Sequence, residues 1–352
     1  MNISGSNKFI TLKASRKNIP SPIRNSIFYL QSSIFHYSLL LFTYSFLLLS
    51  CSNSSERKVP VIGFLDLLQD ETLAQAKTGF FVALRDNGFN ESNHTIEIIY
   101  RNAQGDQPTL LQACDYLISQ KADLIATNPT LSTITTIQKT KIIPVFMMVS
   151  PRPDIAGLTD GNGKAPANLF GIYETLDYID TSVMLIKSIL PAAKIIGTVY
   201  NQSEPQSVDA LKRIEAQCAK HGLILQKLPV NNSNETQLVV GALLNKKIDA
   251  FFALPDNVVF SSMEVIVKIC DDAGVPVFTS EEGLVKRGAV AAFGADMYQW
   301  GYQSGTQAAK FLKTKSLDGL QPELVITRRR VFNEAKAKMF HLNFDSTFVS
   351  VK

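Results

Sequence analysis

From Val59 onward, short apolar strands alternate with amphipathic helices, and the series runs twice. Val61-Ile62-Gly63-Phe64-Leu65 reads as a buried first strand. Leu73, Ala76, Phe80 and Leu84 then recur at helical spacing, with Gly88 where a helix C-cap belongs. Residues 94–100 alternate like a second strand, 107–120 form a helix opened by Asp106 and Pro108, and 123–127 form a third strand. A Thr-rich helix at 130–140 and a strand at 142–149 complete this half. The second half reads as helices at 177–190, 205–221, 234–246 and 258–273, between strands at 193–200, 223–229, 248–254 and 276–280. A short strand near 289–294 and a helix at 298–313 follow. Strands separated by helices of about 10–15 residues imply right-handed βαβ units and parallel sheets. The predicted fold class is therefore α/β, with two doubly wound parallel-sheet lobes, in a chain long enough to split its core.

The first 50 residues are excluded from that fold. They hold five cations (Lys8, Lys13, Arg16, Lys17, Arg24), no acid, and an apolar run from Tyr37 to Leu49. A spanning helix needs roughly 20 apolar residues, so this run is short for an anchor and suits an export signal. Leu48-Leu49-Ser50-Cys51 resembles the bacterial lipobox, in which the cysteine is lipidated and becomes the new N-terminus. The expectation is a lipoprotein signal peptide at 1–50, acylated (palmitate-type) Cys51, a tether at 51–58 and a membrane-anchored protein outside the cytoplasm. Removing the signal turns a net charge of +4 into about −1, because the five charges lost are all positive. Nucleic acid is thereby excluded as a partner, since the largest basic cluster left is Arg328-Arg329-Arg330, which reads as a solvated strand edge. Cys114, Cys218 and Cys270 are isolated and read as buried hydrophobes, and neither a metal nor another cofactor is implied.

In open α/β sheets, ligands sit beyond the carboxyl ends of the strands, where helix N-termini offer free N–H groups. The loops at those ends are Asp66 to Asp70 (with Gln69), Thr127 to Thr130, Val149 to Pro151, Tyr200 to Glu204, Pro255 to Asn257, and Ser280-Glu281. Each is polar. Helix capping alone would also place such residues there, and Asp256-Asn257 reads equally as a cap.

Within the chain, Tyr100-Arg101-Asn102-Ala103-Gln104-Gly105-Asp106, Tyr200-Asn201-Gln202-Ser203-Glu204, Leu254-Pro255-Asp256-Asn257 and Asp296-Met297-Tyr298-Gln299-Trp300-Gly301 occur in order. With them, residues 59 to about 320 resemble the extracytoplasmic substrate-binding proteins of ABC transporters, in the family associated with tryptophan and other aromatic amino acids. The resemblance implies a type I periplasmic-binding-protein fold with a three-strand hinge. Lobe one would hold 59–170 and about 290–318, and lobe two 171–289 and 319–352. It also carries the family's cleft residues onto Asn128, Thr130, Ser150, Ser203, Glu204, Asp256, Asn257, Ser280 and Asp296. Two departures stand out: Asp70-Glu71 replaces a usual His-Pro pair, and Ser150-Pro151 a usual Asp-Pro.

The expected mechanism is a hinged clamp closing over a small zwitterion, an aromatic amino acid favoured, with Asp256 and Glu204 meeting its ammonium group. The partners implied are that ligand, a permease with its ATPase, and a membrane reached through the lipid. The alternative is a lipoprotein presenting a ligand to a membrane sensor. An enzyme is not expected. Gly161-Asn162-Gly163-Lys164 mimics a phosphate loop, but Leu158 and Ala165 occupy positions that need Gly and Ser/Thr.

Overall fold

The structure, a computed structural model, describes residues 59–351. The predicted signal, Cys51 and the tether lie outside the described residues. Residues from Val59 onward make one compact unit containing two sheets.

The first half runs β1 (Val61–Asp66), α1 (Glu71–Asp86), β2 (Glu97–Asn102), α2 (Gln107–Ser119), β3 (Leu124–Asn128), α3 (Thr130–Lys139), β4 (Val145–Met147) and β5 (Leu169–Tyr173). The second runs α4 (Tyr178–Ile189), β6 (Ile195–Tyr200), α5 (Pro205–Lys220), β7 (Ile224–Pro229), α6 (Thr236–Leu244) and β8 (Ala250–Ala253). It continues with α7 (Asn257–Ser261), α8 (Met263–Asp272), β9 (Val277–Thr279), α9 (Glu282–Lys286) and β10 (Ala291–Ala295). The last stretch holds α10 (Met297–Thr314), β11 (Glu323–Leu324), β12 (Arg328–Asn333), α11 (Glu334–Met339) and β13 (Val349–Val351).

The sheets are ordered β11-β5-β4-β3-β1-β2 and β13-β12-β10-β9-β8-β6-β7. Every pairing is parallel except β10 with β12. β1 is buried along its whole length between β2 and β3, as a central strand covered on both faces must be. Strand order reverses beside β1 in one lobe and beside β6 in the other, so each lobe opens a crevice at its strands' carboxyl ends.

The sheets correct three expectations. β5 carries lobe one to Tyr173 rather than 170. β10 pairs with β9 and β12, so it belongs to lobe two, and the return to lobe one begins only with α10. β11 adds to β5, so lobe one also claims a piece of the tail. On its return α10 packs directly against α1. A Cβ on Gly79 of α1 would lie 2.0 Å from the Tyr298 carbonyl oxygen, and one on Gly301 of α10 1.8 Å from that of Ala76. Only glycine lets these two helix backbones touch.

The chain therefore crosses between lobes at 174–177, at Asp296 and at 325–327. Ion pairs tie the crossings together. Arg328 engages both carboxylate oxygens of buried Glu174, and Arg329 reaches Glu282 at 2.6 Å and Asp296 at 3.3 Å. Arg328 and Arg329 are thus hinge residues. β12 lies inside its sheet between β10 and β13, so the triplet is no solvated edge.

Candidate functional site

Capping accounts for several of the polar loops. Asp70 accepts from the N–H groups of Thr72 and Leu73 at 2.9 and 3.0 Å, and Asp296 from that of Gln299 at 3.2 Å. Asp256 is the fullest case. One oxygen accepts from Val258 N and Val259 N at 2.8 and 3.1 Å, the other from Asn201 N and Ser207 Oγ at 2.7 and 2.5 Å. It is wholly buried, lines no cavity, and has no acceptor left for a ligand ammonium. The expected role of Asp256 is therefore corrected: it caps α7 and ties that helix to the loop after β6.

Asp66 and Ser280 are also committed elsewhere, as is the amide nitrogen of Asn128, whose buried Oδ1 has no partner. Asp66 is buried and accepts from Asn128 Nδ2 at 2.8 Å and Tyr100 OH at 2.9 Å, with Lys77 at 3.4 Å. Asn128 also donates to the Leu73 carbonyl at 3.1 Å. Ser280 donates to Glu281 Oε1 at 3.3 Å. These three stand behind the cleft rather than in it, and Asp296 belongs to the hinge.

Two spaces lie between the lobes. The inner one is narrow, with a cavity volume of about 20 Å³. Lobe one contributes Pro129, Thr130, Val149, Ser150, Pro151, Met297 and Trp300, and lobe two contributes Tyr178, Gln206, Pro255, Asn257, Phe260 and Glu281. The outer one is a wider vestibule of about 490 Å³, where Gln69, Ser203 and Glu204 lie. Asn257 borders both. Of the predicted residues, the inner cavity thus gathers Thr130, Ser150 and Asn257.

The inner walls are apolar, yet three of their buried polar atoms have no partner: Gln206 Oε1, Asn257 Nδ2 and Glu281 Oε2. A buried polar group without a partner costs free energy, so three around one cavity mark where a bound molecule supplies the bonds. Glu281 is held by its other oxygen, which accepts from Tyr178 OH at 3.0 Å. Its carboxyl is raised to about 8, chiefly by burial and with help from the nearby Glu174 carboxylate, against the hydrogen bonds from Tyr178 and Ser280.

Glu204 and Asp256 share one buried region. Burial, and then the charge of Asp256, hold Glu204 well above the ordinary carboxylate range. Burial raises Asp256 as well, but four donors oppose that rise. Asp256 is therefore the ionised member and Glu204 carries the proton. Glu204 Oε2 accepts from the main-chain N–H of Asn257 at 2.9 Å and from Gln206 Nε2 at 2.5 Å, which holds the start of α7 and the Gln206 side chain at the cavity.

Lobe one supplies a different kind of surface. α3 begins at the cavity with no side-chain cap, leaving its N-terminus to an incoming anion. The hydroxyls of Thr130 and Ser150 make only long contacts to main-chain oxygens, at 3.4 and 3.3 Å. Val149 holds φ 51°, a conformation a β-branched residue rarely adopts, in the loop that delivers Ser150. Trp300 donates its indole N–H to the Ile172 carbonyl at 3.1 Å, pinning α10 to β5 and turning the ring into the wall.

Residues 58–348 match the family described as ABC transporter substrate binding protein. The chain belongs to this family. A tyrosine-binding protein of Clostridioides difficile is 31% identical to this substrate-binding protein over 81% of its chain and 82% of the relative. The ligand-free, open structure of a Clostridium difficile substrate-binding protein with adhesive properties is 30% identical. It covers 84% of this chain and 100% of its own, with a TM-score of 0.62. A Streptococcus domain in complex with L-Trp is 23% identical over 82% of this chain and 97% of its own, at a TM-score of 0.75. These are binding proteins, not enzymes.

Sequence reasoning missed Tyr178, Gln206, Phe260, Met297 and Trp300, and it read Glu281 only as the end of a polar loop. Glu281 closes a predicted loop, and Gln206 lies two residues beyond the one that ends at Glu204. Tyr178, Met297 and Trp300 sit in the first turns of helices entered from the hinge, where no periodicity separates a cavity wall from core.

Proposed function

We propose that this substrate-binding protein captures a small zwitterion, an aromatic amino acid, at the inner cavity, which has to widen beyond its present volume of about 20 Å³ as the lobes part to admit it. The carrying observation is the set of unpartnered atoms: two acceptors, Gln206 Oε1 and Glu281 Oε2, and one donor, Asn257 Nδ2, in an otherwise apolar, aromatic-walled space. A ligand ammonium bonds the two acceptors. Its carboxylate takes the Asn257 amide, the uncapped start of α3 and the hydroxyls of Thr130 and Ser150. The side chain lies among Trp300, Phe260, Tyr178 and Met297. Relatives described as tyrosine-binding and as bound to L-Trp support this ligand class.

Charge-assisted bonds inside a closed cleft are the strong kind, and neutral ligands would leave Glu281 unsatisfied. Closure of the hinge brings the second lobe's contacts, and the closed form delivers its ligand to a permease with its ATPase. Lipidation at Cys51 tethers the protein to the membrane from the extracytoplasmic side. Among the described residues, no helix is long and apolar enough to cross a membrane.

A thermal-shift screen tests the ligand class, with L-tyrosine and L-tryptophan first, then branched-chain amino acids, peptides and nucleosides. A ligand at about 100 times its Kd adds about 2.7 kcal/mol of stability. Stabilisation by a nucleoside or sugar, with none by any amino acid, would overturn the reading. Loss of labelled palmitate and of membrane association in Cys51→Ser tests the anchor.

A further inference from the structure

Away from the ligand cavity, the lobes meet at a second place. Asp70, which caps α1 in lobe one, pairs with Arg287, which follows α9 in lobe two. The Asp70 side chain is only 2% exposed and that of Arg287 11%. Arg287 is held from its own lobe by both oxygens of Glu264, at 2.7 and 2.8 Å, and by the Phe260 carbonyl at 2.8 Å. Its remaining reach crosses the cleft to Asp70, with Thr72 Oγ1 at 3.5 Å. Beside this pair the Gly283 backbone packs closely against the Thr72 side chain. A Cβ on Gly283 of α9 would stand 2.3 Å from Thr72 Cγ2 and 2.7 Å from its hydroxyl.

We propose that Asp70 and Arg287 form a latch that favours the closed form whether or not ligand is present, and that Gly283 permits the approach it needs. None of Asp70, Thr72, Gly283 and Arg287 lines either interlobe space, so the latch acts on closure and not on ligand contact. Arg287 also fixes the Phe260 carbonyl, which makes it a positioning residue for that wall of the cavity. A buried ion pair is weakly screened, and a closed form that is populated in advance raises apparent affinity by the fraction populated. The inference rests on the clamp reading of the cleft but not on the identity of the ligand.

Asp70→Asn is the cleanest probe, because Asn caps a helix as well as Asp while removing the charge that Arg287 meets. Gly283→Val is the second, driving a side chain into Thr72 without touching the ion pair. Small-angle scattering of the ligand-free proteins should show both variants more extended than the wild type. Binding of L-tyrosine and L-tryptophan, followed by calorimetry and stopped flow, should weaken about tenfold, chiefly through faster release. Ligand-free scattering of Asp70→Asn and Gly283→Val identical to that of the wild type would overturn the latch. If neither amino acid binds the wild type, the zwitterion reading fails while the scattering still decides the latch.

Discussion

Lobe two brings Gln206, Asn257 and Glu281 to the cavity, each with a buried polar atom lacking a partner. Lobe one brings Pro129, Val149, Pro151, Met297 and Trp300, with two hydroxyls already turned toward its own main chain. The polar work of recognition is therefore concentrated in one lobe, while the other shapes and covers. An unpaired buried carboxyl has more to gain from a cation than a hydroxyl that already has a contact. Lobe two should thus set whether a ligand binds, and lobe one which side chain it carries.

The sharpest way to break this comparison is Glu281→Gln, which keeps shape and removes the charge. Losing one member of a buried ion pair costs about 3–5 kcal/mol, so affinity for L-tyrosine or L-tryptophan should fall by a factor of about 100 or more in calorimetry. Unchanged affinity would remove the ammonium site from lobe two.

Acidity offers the next largest effect. With the Glu281 carboxyl raised from 4.5 to about 8, its neutral form favours the folded, empty protein. That contribution is full below about pH 4.5 and is lost as pH rises through about 8, so the empty protein should lose stability over this window by at most about 1.4 kcal/mol per pH unit. Ligand binding runs the other way. A bound ammonium needs the carboxylate, so binding releases a proton and should tighten up to about tenfold per unit from pH 6 to 8, then level off. Calorimetry in buffers of different ionisation enthalpy measures that proton, and a flat profile would mean that no ammonium meets Glu281. The groups facing Glu281 are Tyr178, Ser280 and Glu174, and Arg328 neutralises Glu174 across the hinge.

Lobe one should respond in selectivity. Trp300→Leu should weaken aromatic ligands about tenfold while leaving leucine or isoleucine nearly unaffected, measured as a ratio of Kd values. Equal losses for both classes would show that Trp300 only braces β5 through its bond to Ile172. The smallest effect on binding is expected at Asp256. Asp256→Ala should lower the melting temperature, because losing a cap costs about 0.5–2 kcal/mol, yet leave affinity within about threefold. A large loss of affinity with unchanged stability would restore the role that its sequence position suggests.

The contrast between Asp256 and Glu281 shows where sequence reading stops. Both are acids directly after strands of lobe two, and both lie in loops that helix capping or ligand binding explains equally well. Asp256 turns back onto four donors of its own lobe, whereas Glu281 keeps one oxygen for the cavity. That choice depends on Ser207 and Tyr178, which are 49 and 103 residues away along the chain. The hinge teaches the same lesson. Arg328 and Arg329 look like a basic run on a strand, and only folding sets them against Glu174, Asp296 and Glu282.

The sequence by itself determined the two α/β lobes, the alternation that builds parallel sheets, and the strand ends from which a ligand must be held. These follow from local periodicity and from the need to bury continuous apolar strands between helices. Tertiary structure alone decided the rest. It placed β10 in the second sheet and α10 in the first lobe, because strand pairing and glycine-permitted helix contact act across long separations. It also selected which polar side chains remain without partners, since a buried atom is unsatisfied only after every neighbour has been placed.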